Sequence, residues 1–140
     1  MNVTGWSRGL EVTGDGQGIV SLHAAGLATA LVTKRSSSVV TRRARELGIG
    51  EVHQSVGDKR AVVESILARH GCTTAHACYV GDDVGDLPAM RAVGVPIAVA
   101  DAVESARRAA VWVTRRGGGR GAVREVCDLI LAARGARQRT

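Results

Sequence analysis

The chain has 140 residues, of which 45% are hydrophobic and 23% charged, so its composition is that of one globular domain. No apolar run is long enough to cross a membrane, and the first residues lack the pattern of a signal peptide. Three cysteines fit a reducing compartment. We therefore expect a cytoplasmic protein with one domain over residues 1–140, in which 1–14 form a remnant or a divergent N-terminus and 135–140 a flexible basic tail.

The formal net charge of +6 is concentrated near the C-terminus, because residues 106–140 hold nine arginines against Glu125 and Asp128. Such a basic patch raises the hypothesis of nucleic-acid binding. Proteins that bind single strands add aromatic side chains on which bases stack. Two tryptophans, one tyrosine and no phenylalanine supply few such side chains, so the composition argues against a nucleic-acid partner.

Short β-branched runs alternate with longer helical patterns along the chain, which is typical of an α/β domain with a parallel sheet. The predicted strands are 28–33, 51–54, 77–80, 96–99 and 110–113. The predicted helices are 16–25, 37–47, 59–70, 86–92, 103–109 and 121–133. Ser36 or Ser37, Asp58 and Asp101 stand where helix N-caps are expected. The pattern predicts a doubly wound sheet with its site at the carboxyl ends of the strands.

The strongest chemical signal is the acidic loop after the predicted strand 77–80, which contains Asp82, Asp83 and Asp86. Carboxylates crowded on one loop repel each other unless a cation lies among them, and Mg²⁺ with one or two carboxylates and a substrate phosphate is a common arrangement. The alternative is a solvated acidic turn in which Asp86 is a helix N-cap.

Two further polar segments lie at a strand end and a helix start. Thr33, Lys34, Arg35 and Ser36 follow the predicted strand 28–33, and a hydroxyl, two cations and the N–H groups of the next helix could hold a phosphate. The alternative there is an N-cap cluster with solvated charges. Lys59 begins a helix, where a cation opposes the helix dipole and needs an anion, with pairing to Asp58 or simple solvation as the alternative.

Four soft ligands between the third predicted helix and the next strand raise the hypothesis of a zinc site. They are His70, Cys72, His76 and Cys78. Their spacing does not match that of a known zinc module, and Cys78 falls inside a predicted strand. Core and loop positions are the favoured interpretation of these four residues.

The order of hydroxyl, lysine and acidic loop resembles the second, third and fourth motifs of the haloacid dehalogenase superfamily. The resemblance narrows to the branch of 3-deoxy-manno-octulosonate 8-phosphate phosphatases and the phosphatase-like C-terminal domains of acylneuraminate cytidylyltransferases. The segments that carry it are 15–19, 32–37, 42–48, 79–90, 99–102 and 113–126. It implies a three-layer Rossmann-like domain and the hydrolysis of phosphomonoesters of sugar acids with Mg²⁺, in a homotetramer.

The resemblance also implies roles for particular residues. Thr33 would hydrogen-bond the phosphoryl group and Lys59 would neutralise its charge. Asp82 would bind Mg²⁺, while Asp83 and Asp86 would support the loop or act as alternative ligands. The residues that would face the sugar acid phosphate are Arg35, Ser36, Gly117, Gly118, Gly119 and Arg120.

The first motif of the superfamily, Asp-x-Asp after the first strand, supplies the nucleophile and the general acid/base. No Asp-x-Asp occurs before Thr33, and Asp15 matches the Asp-Gly-x-Gly that follows the motif. Lys34 also stands where the family has glycine. We therefore expect the first strand to be missing or displaced and activity to be low or absent. Two explanations stay open: a chain that starts late, and a non-catalytic module for oligomerisation or regulation.

Overall fold

The computed structural model describes residues 2–4 and 15–138. Its six strands are β1 (Asn2–Thr4), β2 (Thr29–Val32), β3 (Glu51–His53), β4 (Ala77–Gly81), β5 (Val95–Ala98) and β6 (Trp112–Val113). Its helices are α1 (Asp15–Ala24), α2 (Ser38–Glu46), α3 (Lys59–Arg69), α4 (Leu87–Ala92), α5 (Glu104–Ala109) and α6 (Ala122–Gln138). Short 3-10 turns, Thr74–His76 and Val84–Asp86, precede β4 and α4.

All six strands are parallel and form one sheet in the order β3-β2-β1-β4-β5-β6. The strand order reverses between β1 and β4, so the chain has the switch point at which doubly wound sheets bind their ligands. α1 packs on α6, whereas α3, α4 and α5 pack on one another. The predicted α/β class and parallel sheet are confirmed.

The centre of the sheet corrects the expectation of a missing first strand. Asn2–Thr4 lies between β2 and β4, with Val3 opposite both Thr29 and Cys78. A gap there would leave the facing edges of β2 and β4 unpaired, and unpaired strand edges are unfavourable. The first strand is therefore present in the sheet, although it carries no carboxylate.

β2 and β4 form the core of the sheet because every one of their residues is buried. Strands that are covered on both faces have continuous apolar sequences, and for this reason both strands could be predicted from the sequence. Leu22 of α1, Leu67 of α3 and Met90 of α4 are fully enclosed against them. The core therefore holds fixed the loops at the carboxyl ends of β2 and β4.

Two predictions about helix ends are wrong. Asp101 does not cap α5, whose N-cap is Val103 without a side-chain hydrogen bond; the Asp101 carboxylate instead accepts the N–H of Gly118 (2.8 Å). α6 does not end near residue 133 but continues to Gln138, so the segment predicted to be frayed is helical as far as it is described. Within the described ranges no helix is both long and apolar enough to span a membrane.

Gly94, between α4 and β5, approaches the backbone so closely that we expect Gly94→Ala to destabilise the fold. A Cβ there would stand 2.2 Å from the carbonyl oxygen of Ala75, whose chain cannot rotate away. We expect a loss of about 1–3 kcal/mol in the free energy of unfolding, measured by urea denaturation. Gly50→Ala is the matched control, because Gly50 also precedes a strand and has no neighbour within 4 Å of its Cβ position. Equal stability of the two variants would contradict the prediction.

A charged cluster joins the start of β3 to the end of α3. Glu51 accepts hydrogen bonds from His53 Nε2 (2.7 Å) and Arg69 Nη2 (2.8 Å), and His70 Nε2 lies 3.4 Å from its other oxygen. The hydrogen bond from His53, followed by those from Arg69 and His70, outweighs burial and lowers the pKa of Glu51 to about 2. The cluster thus links the edge strand to the helix that begins with Lys59.

The lowered pKa of Glu51 predicts a pH-dependent contribution to stability. The contribution is fully present above the ordinary glutamate pKa of 4.5 and is lost as the pH falls toward about 2. We expect it to be about 1–2 kcal/mol, because water screens the partly exposed cluster. Urea unfolding of wild type and Glu51→Gln between pH 7 and pH 3 measures it, and the difference should shrink with falling pH. Glu104→Gln, which removes a carboxylate from an exposed helix pair, is the control.

Candidate active site

Thr33 directly follows β2 and is held in place by its own backbone. Its N–H donates to the carbonyl of His53 (2.9 Å), and its carbonyl accepts the N–H of Val56 (3.0 Å). Its hydroxyl oxygen accepts the N–H of Arg35 (3.1 Å), and the residue is 5% exposed. The hydroxyl is therefore fixed at the carboxyl edge of the sheet, where the sequence predicts it.

Lys59 begins α3 and is buried together with its partner. Asp58 caps the helix by accepting the N–H of Ala61 (3.0 Å), so the cap does not pair with the lysine. Lys59 Nζ donates to Asp86 Oδ1 (2.7 Å), and their side chains are 6% and 0% exposed. A buried cation at a helix N-terminus needs a compensating anion, and Asp86 supplies it.

Asp86 is surrounded by four donors. Its Oδ1 accepts hydrogen bonds from Lys59 Nζ and from the hydroxyl of Tyr79 (2.5 Å). Its Oδ2 accepts the backbone N–H groups of Asp82 (2.9 Å) and Asp83 (3.1 Å). Asp86 lies at the N-cap position of α4, but its side chain makes no capping hydrogen bond there. Its carboxylate fixes the acidic loop to the lysine.

The charges of this network shift two pKa values in opposite directions. Burial by itself raises the pKa of Asp86, but the hydrogen bonds from Lys59, Tyr79 and the Asp82 backbone outweigh it and lower that pKa. Burial first, and then the adjacent Asp86 charge, raises the pKa of Tyr79 well above its usual range. Tyr79 therefore stays a hydrogen-bond donor, and Asp86 stays an anion paired with Lys59.

The remaining carboxylates of the loop, those of Asp82 and Asp83, suit a hard cation. Asp82 is half-buried where β4 ends, and its carbonyl accepts the N–H of Val103 (2.9 Å). Asp83 is exposed and its Oδ1 accepts the N–H of Val84 (2.7 Å). No set of three or more His, Cys, Asp or Glu side chains in the described ranges is arranged to hold a metal ion. Two carboxylates nevertheless fit Mg²⁺ when phosphate and water complete its shell.

The glycine loop after β6 is anchored to the same edge of the sheet. Gly118 donates its N–H to Asp101, and a Cβ at Gly117 would lie 3.1 Å from the Asp101 carboxylate. The N–H of Ala100 donates to Thr114 Oγ1 (3.0 Å). The loops after β5 and β6 are thereby fixed to each other, beside the loop that holds Asp82.

The predicted ligand-facing residues are spread along this edge. Arg35, Ser36 and Arg120 are exposed, whereas Gly118 and Gly119 are half-buried, and Gly119 has a φ of 75°. Between described residues, no hydrogen bond or ion pair joins Arg120 to Thr33 or Lys59. The structure brings Lys59, Asp86 and the Asp82 backbone together, while the glycine loop lies two strands away from β4.

Sequence reasoning missed the roles of three residues. Tyr79 orients Asp86, Asp101 holds Gly118, and Glu125 accepts the N–H groups of Arg115 and Arg116. A tyrosine in an otherwise apolar strand needs a partner for its hydroxyl, and this signal could have found Tyr79. The other two contacts join residues of different elements and have no sequence signature.

The four residues considered as zinc ligands have different surroundings. Cys78 is fully buried in β4, and Cys72 donates to the carbonyl of His70. His76 pairs with the hydroxyl of Thr73 (2.8 Å), and His70 faces Glu51. Two of the four, His70 and His76, thus have side-chain partners outside the group.

The fold and the site together define a doubly wound α/β protein with a buried hydroxyl, a buried lysine and carboxylates at the carboxyl edge of its sheet. Residues 29–123 match the family model of haloacid dehalogenase-like hydrolases. The chain is 44% identical over 119 residues to the 3-deoxy-D-manno-octulosonate 8-phosphate phosphatase of Yersinia pestis, covering 85% of this chain and 64% of that protein. The corresponding protein of Escherichia coli K12 is 40% identical over 121 residues, with 86% and 64% covered.

Solved structures agree with these matches. The chain resembles a probable phosphatase of the YrbI family from Pseudomonas syringae with a TM-score of 0.91 and 38% identity, covering 96% of this chain and 85% of that one. It resembles the 3-deoxy-D-manno-octulosonate 8-phosphate phosphatase of Moraxella catarrhalis, solved with magnesium, phosphate and KDO, with a TM-score of 0.87 and 34% identity, covering 94% and 85%. The chain belongs to the haloacid dehalogenase-like hydrolase family. It spans 64% of the length of the curated relatives it matches.

Proposed function

We propose that these residues form the phosphate-binding part of a Mg²⁺-dependent phosphatase site for sugar acid phosphates of the 3-deoxy-octulosonate 8-phosphate or nonulosonate 9-phosphate type. The observation that carries the proposal is the buried Lys59–Asp86 pair, with Thr33 also buried at the carboxyl end of β2. A lysine held by an internal carboxylate is positioned before the substrate arrives, and preorganised charge is the main way in which proteins stabilise phosphoryl transfer.

Each residue has a distinct part in this proposal. The Thr33 hydroxyl hydrogen-bonds a phosphoryl oxygen, and Lys59 neutralises the charge on the phosphoryl group. Asp86, with Tyr79, positions Lys59. Asp82 and Asp83 would hold Mg²⁺, which would polarise the phosphoryl oxygens when bound. Arg35, Ser36 and the loop Gly118, Gly119 and Arg120 would face the sugar acid, because guanidinium groups and backbone N–H groups recognise carboxylates.

Titration calorimetry of 3-deoxy-octulosonate 8-phosphate in the presence and absence of MgCl₂ tests the proposal. We expect Mg²⁺-dependent binding that weakens at least about 5-fold in Thr33→Val, which removes one hydrogen bond to a charged group. Thr73→Val is the matched control, because Thr73 precedes β4 at the opposite edge of the sheet. The proposal would be contradicted if the affinity were the same with and without Mg²⁺ and also the same in wild type and Thr33→Val.

The alternative function, a non-catalytic module for oligomerisation or regulation, is favoured by one observation: no Asp-x-Asp precedes Thr33. The two proposals differ in their binding behaviour, because a module retained only for assembly requires no affinity for the phosphorylated sugar. Both are compatible with the homotetramer that we propose for this chain in the cytoplasm. Sedimentation equilibrium tests the tetramer, and a monomer at micromolar concentration would contradict it.

A further inference from the structure

A second cleft lies between β6 and α6, away from Lys59 and Asp86. It has a volume of about 670 Å³, and its lining includes Trp112, Arg115, Arg116, Gly121, Arg124 and Asp128. The phosphatase proposal uses none of these side chains. The cleft is of the size that small ligands occupy in proteins.

Backbone contacts fix the positions of two of its arginines. The Glu125 carboxylate accepts the N–H of Arg115 (2.8 Å) and the N–H of Arg116 (3.0 Å). Gly121 has a φ of 99°, and a Cβ there would lie 3.0 Å from Arg116 Cδ. A glycine at 121 therefore permits both the turn and the close approach of the Arg116 side chain.

The cleft is lined by three arginines and by two carboxylates, those of Glu125 and Asp128, so it carries one net positive charge. Arg124 Nε donates to Asp128 (3.0 Å), which offsets that guanidinium, and the Glu125 oxygens accept backbone N–H groups. The guanidinium groups of Arg115 and Arg116 form no ion pair with any described residue. Two such planar groups at one cleft match the geometry of a phosphate, phosphonate or carboxylate.

An aromatic surface adjoins these cations. Trp112 is 41% exposed although it lies in a strand, and its neighbours Val111 and Val113 are exposed as well. Indole rings bind flat apolar groups on their faces and donate one hydrogen bond. The cleft thus combines an anion-binding end with a surface for a ring.

We propose that this cleft binds a small ligand in which a doubly charged oxyanion is attached to a planar apolar ring. Arg115 and Arg116 bind the oxyanion, and Trp112 contacts the ring. This site is independent of the proposed phosphatase site and takes a different class of ligand, because the phosphatase site recognises a polyhydroxylated sugar acid.

Tryptophan fluorescence measures binding at this cleft directly. The sequence has two tryptophans, so Trp6→Phe leaves Trp112 as the single reporter. Titration with phenylphosphonate and with methylphosphonate, at a pH above the second pKa of both acids, compares two ligands of equal charge, neither of which a phosphatase can hydrolyse. We expect both to change the emission of Trp112, with phenylphosphonate binding about 3- to 10-fold more tightly because only it carries a ring.

Variants that remove equal positive charge from different places test whether the ligand binds in this cleft. Arg115→Gln/Arg116→Gln should weaken phenylphosphonate binding at least about 10-fold. Arg107→Gln/Arg108→Gln, which removes the same charge from exposed positions of α5, should not weaken it. Arg35→Gln, at the proposed phosphatase site, should leave the titration unchanged as well. Equal affinity for the two phosphonates, or equal effects of the two double variants, would overturn the proposal.

Discussion

The purified 140-residue chain is expected to release little or no phosphate from 3-deoxy-octulosonate 8-phosphate in the presence of Mg²⁺. In this family the phosphoryl group is first transferred to an aspartate, and the chain has no Asp-x-Asp before Thr33. Thr33 and Lys59 can bind and neutralise the phosphoryl group, but neither is a carboxylate that can form an acyl phosphate. Removing a nucleophile costs about 10⁴-fold or more in rate, and we expect a deficit of that order relative to an intact relative.

A phosphate-release assay run beside the Yersinia pestis phosphatase measures this deficit. Quenching the reaction in acid with radiolabelled substrate gives a second measurement, the amount of labelled protein. A phosphorylated aspartate survives acid, and we expect no such label on this chain. Turnover within about 100-fold of the relative would contradict the prediction if it also disappears in Thr33→Val, since a contaminating enzyme would not respond to that variant.

The largest effect on stability is expected for Lys59→Met. The substitution leaves the Asp86 carboxylate fully buried without its cation, and breaking a buried ion pair in this way costs about 3–5 kcal/mol. The Tyr79 hydroxyl and two backbone N–H groups still solvate the anion, which keeps the cost within that range. Phosphate affinity should be lost at the same time, because Lys59 is the cation proposed to bind it.

Urea unfolding of a double-mutant cycle separates the contribution of the ion pair to the free energy of unfolding from that of side-chain packing. Lys59→Met/Asp86→Asn should recover part of the loss, since neither side chain is then charged and the amide oxygen still accepts the two backbone N–H groups. Arg60→Met, next in sequence but in an exposed pair with Glu64, should lie within about 0.5 kcal/mol of wild type. A smaller loss for Lys59→Met than for Arg60→Met would contradict the buried pair.

The same pair predicts a loss of stability in acid. The pKa of Asp86 is below the ordinary aspartate pKa of 3.8, so its contribution is present above that pH and is lost as the pH falls through the lowered value. Once protonated, Asp86 no longer compensates the buried Lys59 charge. Wild type should therefore lose more stability below pH 4 than the double variant does.

The site was only partly predictable from the sequence. Thr33, Lys59 and Asp82 could be placed because each directly follows a strand or starts a helix, and parallel strands bring their carboxyl ends to one edge. The orientation of the Asp86 side chain could not be predicted, because the sequence does not distinguish the three carboxylates of this loop from one another. Only the packing of α3 against α4 decides that Asp86 meets Lys59 and not solvent.

The sequence by itself determined the α/β class, the strands β2 and β4 and the polar residues at their ends, because apolar runs and turn residues are local signals. It did not determine that Asn2–Thr4 would occupy the centre of the sheet, or that Asp101 would hold Gly118 in place of capping α5. It also did not show the cleft beside Trp112. These features depend on contacts between residues far apart in the chain, and only the tertiary structure brings such residues together.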